Sequence, residues 1–106
     1  MITIDQFRAI ELRIGTIIAA EPHPNADRLL VLRVDVGGEE RQLVAGIRAH
    51  YEPPVLIGRQ VVVVANLEPA KLRGVESQGM VLAAAYGDSV VLLRPDEAVP
   101  AGAVVR

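Results

Sequence analysis

The chain has 106 residues, the size of one domain, and 51% of them are apolar, but Phe7, Tyr51 and Tyr86 are its only aromatic side chains. It has no cysteine, which excludes a disulfide scaffold, a thiolate metal site and a cysteine nucleophile and fits a cytoplasmic protein. The formal charge is −2, with six basic and eight acidic residues in 1–53 and five of each in 54–106, so bulk electrostatics give nucleic-acid binding no support.

The N-terminus lacks the charged and apolar regions of a signal peptide. No apolar run approaches the roughly 20 residues that cross a bilayer, so no membrane partner is expected. "TIDQ" at 3–6 reads as a capping box, Thr3 with Gln6, and starts a short helix through Ala9. "ELRIGTIIAAE" alternates, with Leu12, Ile14, Thr16 and Ile18 on one face and Arg13, Gly15 and Ile17 on the other; Gly15 marks a bulge or sharp bend. "PHPNADR" at 22–28 is a loop, stiffened by two prolines and by Asx turns at Asn25 and Asp27.

"LLVLRVDV" is the second strand, with Leu30, Leu32, Val34 and Val36 on one face. Gly37-Gly38 is a hairpin signal, and "RQLVAG" returns as the third strand. "IRAHYEPPVLIG" is a short helix or turn that stops at Pro53-Pro54, because the residue before a proline is pushed out of the helical region. "QVVVVAN" at 60–66 is the fourth strand. A long polar loop and one strand, "MVLAAAY", follow; then come a turn at 87–89, "VVLLRP", and a tail with Pro100 and Gly102. Short strands with a helical turn between the third and fourth predict an all-β domain spanning 1–106. Its form is a five-stranded Greek-key barrel, the OB-fold, with a short N-terminal helix and terminal extensions.

Catalytic chemistry finds no foothold. His23 and His50 stand 27 residues apart in no metal-binding spacing, one in a loop and one ending a helical turn. Ser77 sits in "ESQG", not in a nucleophile elbow. Glu39-Glu40 and Asp96-Glu97 are solvated turn charges, and "GVESQG" lacks the GK[ST] of a phosphate loop. No enzyme and no cofactor are expected. The basic residues say more by position. Arg28, Arg33, Arg41, Lys71 (the only lysine) and Arg73 flank the loops after the first strand and before the fifth, which rim the ligand face of an OB-fold. Three aromatics cannot build a stacking platform, so a nucleic acid here would be read by its folded shape and phosphates.

"HPNADRLLVLRVDVGGEERQLVAGIR" at 23–48 and "GRQVVVVANLEPAKLRGVESQGMVLAA" at 58–84, in that order, closely resemble one family. It is the tRNA-binding OB-fold domain found at the C-terminus of bacterial methionyl-tRNA synthetase and as a free-standing structure-specific tRNA-binding protein. The resemblance runs from about Phe7 to the C-terminus. It implies a non-catalytic domain that grips the L-shaped form of tRNA in general. It also implies a homodimer joined through N- and C-terminal segments, holding tRNA or helping a synthetase in trans.

The motif match places Asn66, Lys71, Arg73, Ser77 and Met80 on the binding face, with Arg28 adding charge from the other loop. Lys71 and Arg73 would neutralise phosphates. Asn66 either donates to RNA or closes the turn after its strand. Ser77 either bonds RNA or caps the next strand, and Met80 is either a soft base contact or core. Family members often carry lysine at Arg28, serine at Ala45 and an acidic residue at Gln78; the last difference removes a negative charge beside the expected site. Export-related relatives supply the alternative reading, a chaperone-like binder of unfolded polypeptide. Met1 and the capped first helix fit a free-standing chain better than a synthetase fragment.

Overall fold

The computed structural model describes all 106 residues. Helix α1, Ile4–Arg8, starts as its capping box requires: Gln6 N donates to Thr3 Oγ1 at 3.1 Å and Thr3 N donates to Gln6 Oε1 at 2.8 Å. It buries no side chain of its own. Strand β1, Leu12–Pro22, serves two neighbours. Its first half pairs with β4, Gln60–Val64, from Leu12 opposite Val64 to Thr16 opposite Gln60; its second half pairs with β2, Leu30–Asp35, ending with Pro22 opposite Leu30. This shared strand turns the barrel's corner.

The register break in β1 lies between Ile17 and Ala19, not at Gly15. Ile17 is fully buried and Ile18 exposed, on opposite faces as the alternation predicts, and Ile18 is the extra residue at the slip. Gly15 answers a different need. A Cβ at that position would stand 2.4 Å from Val34 Cγ1 and 3.2 Å from Val63 Cγ2, so the neighbouring strands' side chains close over it.

Strands β2 and β3 (Glu40–Ala45) form a hairpin in continuous register from Asp35 opposite Glu40 to Leu30 opposite Ala45. Leu30, Leu32 and Val34 point inward and are fully buried, as their spacing predicts. Helix α2, Pro53–Leu56, begins at the prolines where the sequence suggested an end. Proline fits a helix's first turn, where its missing N–H would be unpaired anyway. Leu56 then drops into the core with Ile17, Leu43, Val61 and Val63, each such burial contributing about 2 kcal/mol.

Residues 66–79 are more ordered than the expected loop. They carry a hairpin of β5, Ala70–Leu72, and β6, Val75–Ser77. The expected single strand at 80–86 is two: β7, Met80–Val81, on β4, and β8, Ala83–Tyr86, which turns back into β9, Ser89–Leu92. They part at Leu82, whose N–H donates to Val62 O and whose carbonyl accepts from Leu93 N. Strand β10, Val104–Val105, returns to the start of β1. The main sheet runs β3-β2-β1-β4-β7, the five strands of the expected barrel.

The seam between β3 and the β6–β7 stretch is closed mainly by side chains. Gln42 N donates to Gln78 Oε1 at 3.0 Å, Gln78 N to Gln42 O at 2.8 Å, and Gln42 Nε2 to Glu76 O at 2.8 Å. Arg41 bridges to the carbonyls of Ala65 and Gln78. Gly79 passes so close that a Cβ would lie 2.8 Å from Val64 O, and its φ of +136° suits glycine alone.

Candidate nucleic-acid interface

Two segments meet at one end of the barrel: the β1–β2 loop and the β5–β6 hairpin. The loop closes on itself, His23 N donating to Leu29 O at 3.0 Å and Leu29 N to Ala26 O at 3.3 Å. The hairpin turns at Arg73-Gly74, where φ is 53° and 88°. Positive φ at both central residues is the geometry that matches a strand pair's twist. Arg73 Nη2 then reaches Asn25 O at 3.3 Å, and His23 Nε2 lies 2.9 Å from Leu72 O. A shallow concavity of about 380 Å³ between the segments is lined by Asn25, Ala26, Asp27, Arg28, Leu29 and Arg73.

Arg28, Lys71 and Arg73 are exposed and none has a carboxylate within ion-pair distance. Lys71 sits across from Glu76 on the outer face of the hairpin, opposite to the side on which Ala70 and Leu72 line an apolar groove. Three cations without an ion pair, on two cross-linked segments, suit a polyanion, because no carboxylate has to be displaced for it. Arg33 and Arg41, also expected at the rim, are engaged elsewhere: Arg33 pairs with Glu40 at 3.7 Å and Arg41 with Glu39 at 2.7 Å.

The remaining expected contacts divide. Asn66 holds the N-terminal segment, accepting from Glu11 N at 2.9 Å and donating to Ala9 O at 2.7 Å. Ser77 is buried; its Oγ accepts from Val44 N at 2.9 Å and donates to Gly79 O at 2.9 Å. The expected turn closure and strand capping are replaced by longer-range bonds: Asn66 ties down the N-terminal segment, and Ser77 joins β3 to the carbonyl of Gly79. Gln78 likewise spends its side chain in the seam. Met80 is not core: it is 46% exposed, on the ridge between the hairpin groove and a second apolar groove beside Phe7, Ile10 and Leu12.

Arg48 is a residue that sequence reasoning passed over. Its N–H donates to Arg28 O at 3.3 Å and its Nη1 to Ala26 O at 3.4 Å, which sets a further unpaired guanidinium beside the same loop. The hairpin register carried the signal. With Leu30 opposite Ala45, the chain beyond each strand end brings Arg48 to Arg28.

A five-stranded barrel of this topology, with cations on its first and last inter-strand loops, is an OB-fold. Residues 12–104 match the family described as "Putative tRNA binding domain". The chain belongs to that family. It is 57% identical over 105 residues to the methionine–tRNA ligase of Pyrococcus furiosus, a match covering 99% of this chain and 14% of the ligase. The chain thus spans about one seventh of the curated relatives it matches. Among solved structures, a MetRS related protein from Pyrococcus horikoshii superposes with a TM-score of 0.93 at 38% identity, covering 100% of this chain and 98% of that one. The chaperone CsaA from Bacillus anthracis does so with 0.93 at 34%, covering 100% and 99%.

Proposed function

We propose that this chain is a non-catalytic, structure-specific tRNA-binding protein of the cytoplasm. It works as a homodimer, as a general tRNA holder or a trans-acting helper of methionyl-tRNA synthetase. The observation that carries the reading is the set of unpaired cations, Arg28, Lys71 and Arg73, on two loops tied to each other. Phosphates are the ligand such a set neutralises, and rigid spacing rewards a folded backbone over a flexible one. Family membership supports the tRNA, and the ligase relatives support the link to a synthetase.

The dimer accounts for apolar side chains left in water at the chain ends, Met1, Ile2, Ile4 and Val104, and on the β8–β9 hairpin, Tyr86, Val91 and Leu93. Two copies would double a modest number of phosphate contacts. Light scattering is expected to give twice the 11.4 kDa chain mass at micromolar concentration, and a clean monomer would remove this part of the proposal.

Filter binding tests the main reading. Full-length tRNA is expected to bind better than an unstructured RNA of equal length. Lys71→Ala with Arg73→Ala should weaken tRNA binding by about tenfold or more and lower the log–log salt slope by about two. Equal binding of both RNAs would defeat shape reading. The CsaA likeness, with the apolar groove of about 390 Å³ under the hairpin, favours one second reading, a binder of unfolded polypeptide. A labelled apolar peptide that binds, and that tRNA fails to displace, would favour it.

A further inference from the structure

The hairpin carrying Lys71 and Arg73 has an orientation problem. Its strands are three residues each, and β5 has β6 as its only ladder partner. A two-stranded ribbon of that length does not hold itself in water. On the β6 side, Ser77 and the Gln42–Gln78 bonds anchor it to β3. The β5 side, with Lys71 on the strand and Arg73 at the turn that follows it, needs a separate hold.

His23 supplies one. It is 3% exposed and, with Ser77, one of two buried polar side chains. Its Nδ1 accepts from Asn25 N at 2.9 Å, so that nitrogen bears no hydrogen. Its Nε2 faces Leu72 O at 2.9 Å, and a carbonyl can only accept, so Nε2 bears the hydrogen and donates. One ring therefore spans two segments 49 residues apart in sequence. Pro22 and Pro24 on either side restrict the backbone that presents it. Asn25 completes a circuit: its N–H goes to His23 and its carbonyl accepts from Arg73, the residue after Leu72. Arg73 sits at φ 53°, which the two-residue turn requires and which costs a side-chain-bearing residue free energy, and the circuit braces the chain on both sides of it.

We propose that His23 is a positioning residue for the RNA-binding rim, using its Nε2–H bond to Leu72 to hold Lys71 and Arg73 at the spacing that phosphates meet. This rests on the tRNA reading of that rim.

The two ring nitrogens can be tested apart. His23→Gln keeps a donor near the Nε2 position, His23→Asn keeps an acceptor near Nδ1, and His23→Phe keeps the ring volume with neither bond. For each, two quantities are measured: the tRNA dissociation constant at fixed salt, and amide hydrogen exchange at Leu72, Arg73 and Gly74. His23→Asn and His23→Phe are expected to weaken tRNA binding about fivefold and to speed exchange in the hairpin, with His23→Gln within about twofold of the wild type. In a Lys71→Ala, Arg73→Ala background the same changes should add no further loss, since the cations they position are gone. His23→Phe carries the test if His23→Asn does not fold.

Unchanged exchange and affinity in both weakened variants overturn the inference and leave the tRNA reading standing. Faster exchange at unchanged affinity overturns it too, as does an equal loss in the Gln, Asn and Phe variants, which marks a purely structural ring. If the Lys71→Ala, Arg73→Ala protein binds tRNA like the wild type, the rim reading itself has failed and the inference falls with it.

Discussion

Two hairpins of this molecule share a turn geometry and use their charges in opposite ways. At Gly37-Gly38 and at Arg73-Gly74 both central residues have positive φ. The first turn joins strands of six residues whose inner faces fill the core, and Asp35 Oδ1 accepts from both glycine N–H groups, at 2.9 and 3.1 Å. Its cations are paired, Arg33 with Glu40 and Arg41 with Glu39. The second turn joins strands of three residues, places an arginine where the first has glycine, and leaves Lys71 and Arg73 unpaired. A charge that already has a partner, or that holds the barrel seam as Arg41 does, has little left to offer a phosphate. The short hairpin keeps its charges free and takes its rigidity from elsewhere, through Ser77 on one strand and His23 beside the other.

The strongest way to break this contrast is at Ser77. Ser77→Ala leaves the Val44 N–H unpaired in the seam and should destabilise the fold by about 2 kcal/mol in urea unfolding. The tRNA affinity of the folded protein should stay within about twofold, since this hydroxyl serves the barrel. A stable variant with lost affinity would move Ser77 to the RNA face. A smaller effect sharpens the comparison at the turns. Arg73→Gly relieves left-handed strain of about 1 kcal/mol, partly offset by glycine's greater unfolded-chain entropy, for a net gain of about 0.5 kcal/mol. That same change should weaken tRNA binding by about fivefold, through loss of one phosphate contact. Its counterpart Arg33→Ala removes an exposed pair and should change stability by less than about 0.5 kcal/mol. If Arg33→Ala weakens tRNA binding as much as Arg73→Gly, the division between paired and free cations is wrong.

Much of the barrel is legible in the sequence. The capping box at Thr3, the alternation of Leu30, Leu32 and Val34, and the glycine pair at 37–38 are local signals, and each element they predict is present. The signal failed where local chemistry is degenerate. From Ile14 to Ala20 no charged residue distinguishes the faces, so nothing local located the slip between Ile17 and Ala19. "MVLAAAY" is apolar throughout, and its division at Leu82 depends on Val62 and Leu93. Pro53-Pro54 was ambiguous because proline both ends one helix and begins another.

By itself the sequence determined the order of short strands, the hairpin turn and the residue types at the rim, since these follow from side-chain period and backbone preference. Only the tertiary structure decided which polar groups were free to act. Asn66 and Ser77 have the chemistry of RNA contacts and are consumed by the N-terminal segment and the seam; Arg48, unremarkable in the chain, arrives beside Arg28. The reason is physical: a hydrogen-bonding group acts on whatever reaches it first. What reaches it is set by strand register and barrel closure, which join residues tens of positions apart.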